Sequence, residues 1–209
     1  MNRFRSATAR LAALAALALA TLVPAIACAA DTDRAVLLVA HPDMTDPVWS
    51  QTVLLAAPAP SGFHVGVIVN RPTDRSLASL FPGHAPSRKV VDPIHFGGPI
   101  SANAVVALVK AAASPGGNTL QLSDGLYLAL YGATVDRVIE STPDNARFYV
   151  GFVVWQPGEL EQEIRSGYWN VRDADNAIVF AKDTGTLWRQ LRRAGRTFSA
   201  SLDPERLGR

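Results

Sequence analysis

Three groups of residues in this 209-residue chain have the types and spacing that chemistry needs. The first is Asn70-Arg71-Pro72, directly after the apolar run Val65 to Val69. An arginine placed there can present a planar fork of donors to a carboxylate or phosphate. The second is Gly97-Gly98-Pro99, where two residues without a Cβ could bring backbone N–H groups close to an anion. The third is Glu159 and Glu163, spaced to share one face of a helix. Paired carboxylates can move protons or hold a hard cation. Together, Asn70, Arg71, Gly97, Gly98, Glu159 and Glu163 form the candidate ligand-binding set, for an anionic small molecule or a partner protein. Each also has a plainer use. Asn70 can cap a turn, Arg71 can pair with Glu159 to pin a hairpin to a helix, and the two glutamates can be a solvated face.

Other chemistries lack carriers. The chain has no G-x-S-x-G, P-loop or G-x-G-x-x-G segment. His41, His64, His84 and His95 are scattered without metal-ligand spacing, although His41 and His95 each end an apolar run and could share a site. Ser101 and Ser123 lie in turns, where a hydroxyl ordinarily bonds to backbone. No catalytic residue, metal or cofactor is assigned.

The elements that would position these groups can be read from the hydrophobic pattern. Ala35 to Ala40, Thr52 to Ala56 and Val65 to Val69 are short branched apolar runs, hence buried strands, the last two joined as a hairpin through Pro58 to Gly62. Ser76 to Phe81 reads as a turn or two of helix and Ile94 to Phe96 as a brief strand. Val105 to Lys110 and Leu120 to Leu122 are expected strands, and Leu126 to Tyr131 is ambiguous. Thr134 to Ser141 has the helical stripe Val135, Val138, Ile139. Ala146 to Trp155 is the clearest strand, with Phe148, Val150, Phe152 and Val154 on one face. Trp155 should be buried where that strand meets a helix opened by Pro157 and closed by Gly167. Trp169 to Val171 and Ala177 to Phe180 read as extended, and Thr186 to Arg193 as a last helix with Leu187, Trp188 and Leu191 inward. Strands and helices mix without strict alternation, which argues for α+β.

The N-terminus bears on where this happens. Arg3, Arg5 and Arg10, the apolar run Leu11 to Ile26 and the small residues Ala27-Cys28-Ala29 make the pattern of a secretory signal peptide. The run is shorter than the roughly 20 residues of a bilayer span. The expected division is a leader at 1–29 and one domain at 30–209, periplasmic or secreted. The alternative is a lipid-anchored envelope protein acylated at Cys28, so membrane contact comes only through the leader or that lipid. Removing the three leader arginines from 20 Lys+Arg leaves 17 against 18 Asp+Glu, which turns a formal charge of +2 into −1. The basic pI is therefore no argument for nucleic acid, and none is expected as a partner. Cys28 is the only cysteine, so the exported domain would have to be held by its core alone.

Gly66 to Pro72, Phe96 to Pro99, Gly151 with Trp155, and Gly158 to Glu163 followed by Trp169 occur in an order and spacing that resemble the YqgE/AlgH family, over roughly residues 35–193. The resemblance implies a bent or split, mostly antiparallel sheet closing into a pseudo-barrel flanked by a few short helices. Pro72, Pro99 and Trp155 are read as structural, and the resemblance implies no established enzymatic activity. Many relatives carry a cysteine followed by Glu-His at the end of the second strand. Leu55-Ala56-Ala57-Pro58 stands there in this chain, so a thiol role has no carrier. The reading is an exported, non-enzymatic binding or regulatory domain. Two others compete with it: a hydrolase or transferase using Glu159 or Glu163 with a histidine, and a structural envelope protein.

Overall fold

The computed structural model describes residues 32–200, with side chains through residue 193. The expected leader and Cys28 lie outside the described residues. The chain begins with Val36–Ala40 (β1) and Val53–Pro58 (β2), paired antiparallel with Val36 opposite Ala56. A short turn at Pro60–Gly62 leads into His64–Ile68 (β3), with Leu54 opposite Ile68. The expected hairpin is therefore formed. Both faces of these strands are buried, which is why they read as continuous apolar runs instead of alternating ones.

After β3 the chain makes one helical turn, Leu77–Leu80 (α1), whose N-cap Ser76 accepts the Ser79 N–H at 3.1 Å. Then come His95–Phe96 (β4), Ile100–Lys110 (β5), Thr119–Ser123 (β6) and Leu126–Ala129 (β7). Leu126 to Tyr131, open from sequence, thus contributes a strand. Gly132–Ser141 (α2) buries Val135, Val138 and Ile139, the stripe that its periodicity predicts. Ala146–Trp155 (β8), Glu159–Arg165 (α3), Trp169–Asp173 (β9), Asn176–Val179 (α4) and Leu187–Ala200 (α5) complete the order.

The nine strands form one sheet in the order β6-β7-β5-β8-β3-β2-β1-β9, with β4 alongside β8. Neighbours pair antiparallel except β4 with β8. Edge strand β6 comes round to touch β2, so the sheet curls into a half-barrel. This is the α+β architecture that the sequence pattern implies. The main core fills the curl and takes in Trp155, Trp169 and, from α5, Leu187, Trp188 and Leu191. A second core lies under α1 and α2, around Leu77, Ile94, Val138 and Phe148.

β8 is the seam of the sheet. It meets β5 through Val105 opposite Val150, and β3 through His64 opposite Trp155. Its expected face is divided between the cores. Phe148 and Val150 serve the second, Phe152 and Val154 the first, while Tyr149, Val153 and Trp155 are the more deeply buried line. The division coincides with Gly151, whose φ of +70° bends the strand where Gly97 and Gly98 cross it. A methyl on Gly97 would strike the Gly151 carbonyl, and one on Gly151 would strike the Gly98 carbonyl.

Several elements differ from expectation: β5 begins at Ile100 instead of Val105, so Ser101 lies in a strand, as does Ser123 at the end of β6. Where Ala177 to Phe180 is expected extended, Asn176–Val179 is helical, because Asp175 accepts the Ala177 N–H at 2.7 Å and starts a turn. Pro157 lies before α3, which begins at Glu159 after Gly158 at a φ of 82°.

Candidate functional site

β1 ends at Ala40, and residues 41–52 loop out before β2 begins. This loop faces α3 and the start of β9 across a cavity of about 800 Å³. Trp49 of the loop, Trp155 at the end of β8, and Tyr168 with Trp169 at the start of β9 supply its aromatic walls, with Met44 and Val153 beside them. Asp43, Asp46, Glu159 and Glu163 supply its charge, and His41 lies among them.

α3 sets the polar centre. Its Leu160 is fully buried, and this fixes which way the opposite residues point. Glu163, one turn after Glu159, places Oε2 between two indoles. Trp155 donates its Nε1–H at 2.9 Å and Trp169 donates at 2.7 Å. One carboxylate oxygen thus ties together the ends of the two strands that flank α3. Hydrogen bonds to an ionised acceptor are among the stronger kind. Glu163 Oε1 carries no hydrogen bond among the described residues. Glu159 is exposed, and its Oε2 accepts the Gln156 N–H at 2.7 Å, closing the turn before its own helix. Trp169 is in turn met edge-on by Trp49, ring centroids 6.3 Å apart at 87°.

The Asn70-Arg71 pair holds the loop that carries Trp49. Asn70 Oδ1 accepts the Val53 N–H at 2.8 Å, and its Nδ2 donates to the Gln51 carbonyl at 2.9 Å. The amide stands in for a strand neighbour around Gln51, which sits at a φ of 58°. Arg71 Nη2 donates to the carbonyls of Pro47 at 3.1 Å and Ser50 at 3.0 Å. Within the loop, Asp46 Oδ1 accepts the N–H groups of Val48 at 2.7 Å and Trp49 at 3.2 Å. Burial lowers the pKa of Arg71, against which the charge of Asp46 pulls.

The expected Arg71–Glu159 contact is not formed: no hydrogen bond or ion pair joins the two. Arg71 is engaged by loop carbonyls and Glu159 by its own turn. Arg71 lines a separate cleft of about 370 Å³ with Asn70, Trp188 and Arg189, on the other side of Ser50 and Gln51. The candidate set therefore divides: Glu159 and Glu163 line the cavity, whereas Asn70 and Arg71 brace its loop from behind. Gly97 and Gly98 are buried at the β8 crossing, and the Gly97 N–H donates to the Val150 carbonyl at 2.8 Å. Pro72 forms an isolated bridge with His95, and Pro99 precedes β5. Trp155 is buried as expected, at 3 % exposure.

The histidines do not converge. His41 lines the cavity. His95 is buried beside Tyr149, its Nδ1 at 3.1 Å from the Pro93 carbonyl. Burial, with the nearby charge of Arg147, pushes the pKa of His95 down to about 4. His64 Nε2 sits 3.1 Å from the Thr32 carbonyl, and His84 bonds Ser87. Among the described residues no three His, Cys, Asp or Glu side chains are grouped to hold a metal ion.

Sequence reasoning missed Trp49, Tyr168, Met44, Asp43 and Asp46 as cavity residues. The usable signal was Asp46-Pro47-Val48-Trp49, a turn that ends on a large aromatic.

A family model described as AlgH-like matches residues 37–198. The chain belongs to the AlgH-like family. The family reached from the motifs is the one found. A UPF0301 protein of Streptomyces avermitilis is 28 % identical over 167 residues, 77 % of this AlgH-like chain and 85 % of its own length. Another, from Chlamydia muridarum, is 27 % identical over 180 residues, 84 % and 94 % of the two chains. The solution structure of the AlgH protein from Pseudomonas aeruginosa is similar at a TM-score of 0.64 and 26 % identity, over 79 % of this chain and 88 % of that one. Protein DIP2367 from Corynebacterium diphtheriae, a crystal structure, shares the fold at a TM-score of 0.61 and 24 % identity, covering 78 % and 86 %. None of these names states an activity.

Proposed function

We propose that this AlgH-like chain is an exported binding protein, and that the cavity between the 41–52 loop and α3 is where it takes up a small ligand. One observation carries the reading. Glu163 is held by two buried indoles while its second oxygen carries no hydrogen bond among the described residues, inside a cavity of about 800 Å³ with aromatic and apolar walls. Ligand sites are commonly apolar cavities of roughly 300–1,000 Å³ with a few fixed polar groups. Export rests on the order of basic, apolar and small residues at the N-terminus.

A fragment screen read by the indole Nε1–H signals tests the binding part. Fragments that bind should shift the signals of Trp155 and Trp169. Binders that leave both unmoved would place the site elsewhere. For export, N-terminal sequencing of the envelope fraction should begin near Cys28 or Ala30, whereas cytosolic protein starting at Met1 would refute it.

The hydrolase or transferase reading has one observation in its favour, His41 in the same cavity as the two glutamates. It requires ester or amide turnover that His41→Ala and Glu163→Gln both abolish.

A further inference from the structure

We propose that the cavity selects a small organic cation, a substituted ammonium ion. This rests on the reading of the cavity as a binding site. Charge is the first argument. Asp43, Asp46, Glu159 and Glu163 line the cavity, and among the described residues neither lysine nor arginine does. Arg71, which braces the loop, has its guanidinium on the Pro47 and Ser50 carbonyls and lines the other cleft.

Hydrogen-bonding capacity is the second argument. The indole N–H groups of Trp155 and Trp169 are both taken by Glu163 Oε2. Glu159 and Asp46 each use one oxygen on local backbone N–H groups. What these groups still offer an incoming molecule is acceptors, Glu163 Oε1 foremost. An anion would meet carboxylates and, among the described residues, no lining Lys or Arg, with His41 already 3.6 Å from Asp43, and desolvating it there is costly. A cation would meet complementary charge.

The walls are the third argument. Trp49, Trp155, Tyr168 and Trp169 surround the carboxylates. Aromatic rings attract cations through their quadrupole, and substituted ammonium ions give up hydration more readily than compact ones. An inorganic ion is the poorer fit, since no metal-holding group of three ligands occurs among the described residues. Aromatic walls with one fixed carboxylate suit an ion that is apolar outside and positive inside.

Three probes of one size test this by titration of the purified protein, followed through the Trp155 and Trp169 indole signals. They are choline, its uncharged carbon isostere with a tert-butyl group in place of trimethylammonium, and the matching tert-butyl carboxylate. Choline should bind at least about tenfold more tightly than the isostere, and the carboxylate should not bind. Glu163→Gln keeps a carbonyl acceptor for the indoles and should reduce choline affinity about tenfold while leaving the isostere unchanged. Asp43→Asn, on the exposed rim, should reduce it a few-fold without touching the fold. Equal or tighter binding of the isostere or the carboxylate would overturn the cation assignment and leave the binding site standing. Silence of the indole signals towards all three would overturn both.

Discussion

The two clefts on either side of the 41–52 loop use charge in opposite ways. In the smaller one, Arg71 directs its donors into backbone carbonyls of the loop, and Asn70 does the same with both ends of its amide. In the larger one, each anchored carboxylate gives one oxygen to the fold; Glu163 Oε2 is held by two indoles and Oε1 takes no hydrogen bond from the described residues. The first region is structural and its product is a placed loop. In the second, half of each anchored side chain satisfies the structure, and the other half is what the proposed ligand would meet. The difference shows that a charged residue at a strand end is best judged by where its hydrogen bonds go, since residue type alone nominates Arg71 and Glu163 equally.

The largest expected effect lies at their junction. Trp155 is buried in the main core and also holds Glu163. Trp155→Ala should cost about 3–5 kcal/mol in urea denaturation, as for large aromatics in cores. A loss under about 1 kcal/mol would mean that the ring is a wall of the cavity only.

Next comes the brace. Arg71→Ala strips the donor from two loop carbonyls, one exposed and one part-buried, and should cost about 1.5 kcal/mol, as for a hydrogen bond from a charged group that stays partly open to water. The environment of Trp49 should change with it, seen in its indole signal. Glu159→Gln should stay within about 0.5 kcal/mol, as exposed substitutions do. The double mutant should be additive, because the two residues do not touch and sites without shared partners add to within about 0.5 kcal/mol. A coupling of several times that size would restore an Arg71–Glu159 contact and erase the contrast between the clefts.

A pH-dependent effect comes from outside both clefts. His95 has a pKa of about 4 against an ordinary 6.5, chiefly from burial. Between those values the unfolded chain binds a proton that the folded chain does not, so stability should fall as pH drops from about 6.5 to 4. After allowance for partial solvent screening, the loss is on the order of 2 kcal/mol. It should be absent in His95→Gln, where denaturation midpoints across the window should lose that component of the slope.

How much of this could be read in advance depended on distance along the chain. β1, β2 and β3, the stripe of α2 and the inward set Leu187, Trp188 and Leu191 are local patterns, and each is where its period puts it. α4 is only four residues long, too short for any period to separate helix from strand, and its Asp175 cap decided it. The cavity was half legible. Glu159, Glu163 and Trp155 are neighbours in sequence, but Trp49 comes from a loop more than a hundred residues earlier, and the pairing of β1 with β9, Ala40 opposite Trp169, brings it to Trp169. Arg71 was misread for a different reason. Its partners are the carbonyls of Pro47 and Ser50, and backbone acceptors leave no mark in residue types.

The central claim is that Glu163, and not Arg71, is the polar centre of the binding cavity. Hydrogen exchange of the indole Nε1–H groups in labelled protein tests it most directly. In the wild type, Trp155 and Trp169 should exchange slowly and together, because both protons rest on one carboxylate oxygen. In Glu163→Ala both should lose protection at once, while in Arg71→Ala both should keep it and only Trp49 should change. Indoles that stay protected without Glu163, or that lose protection with Arg71, would contradict the account.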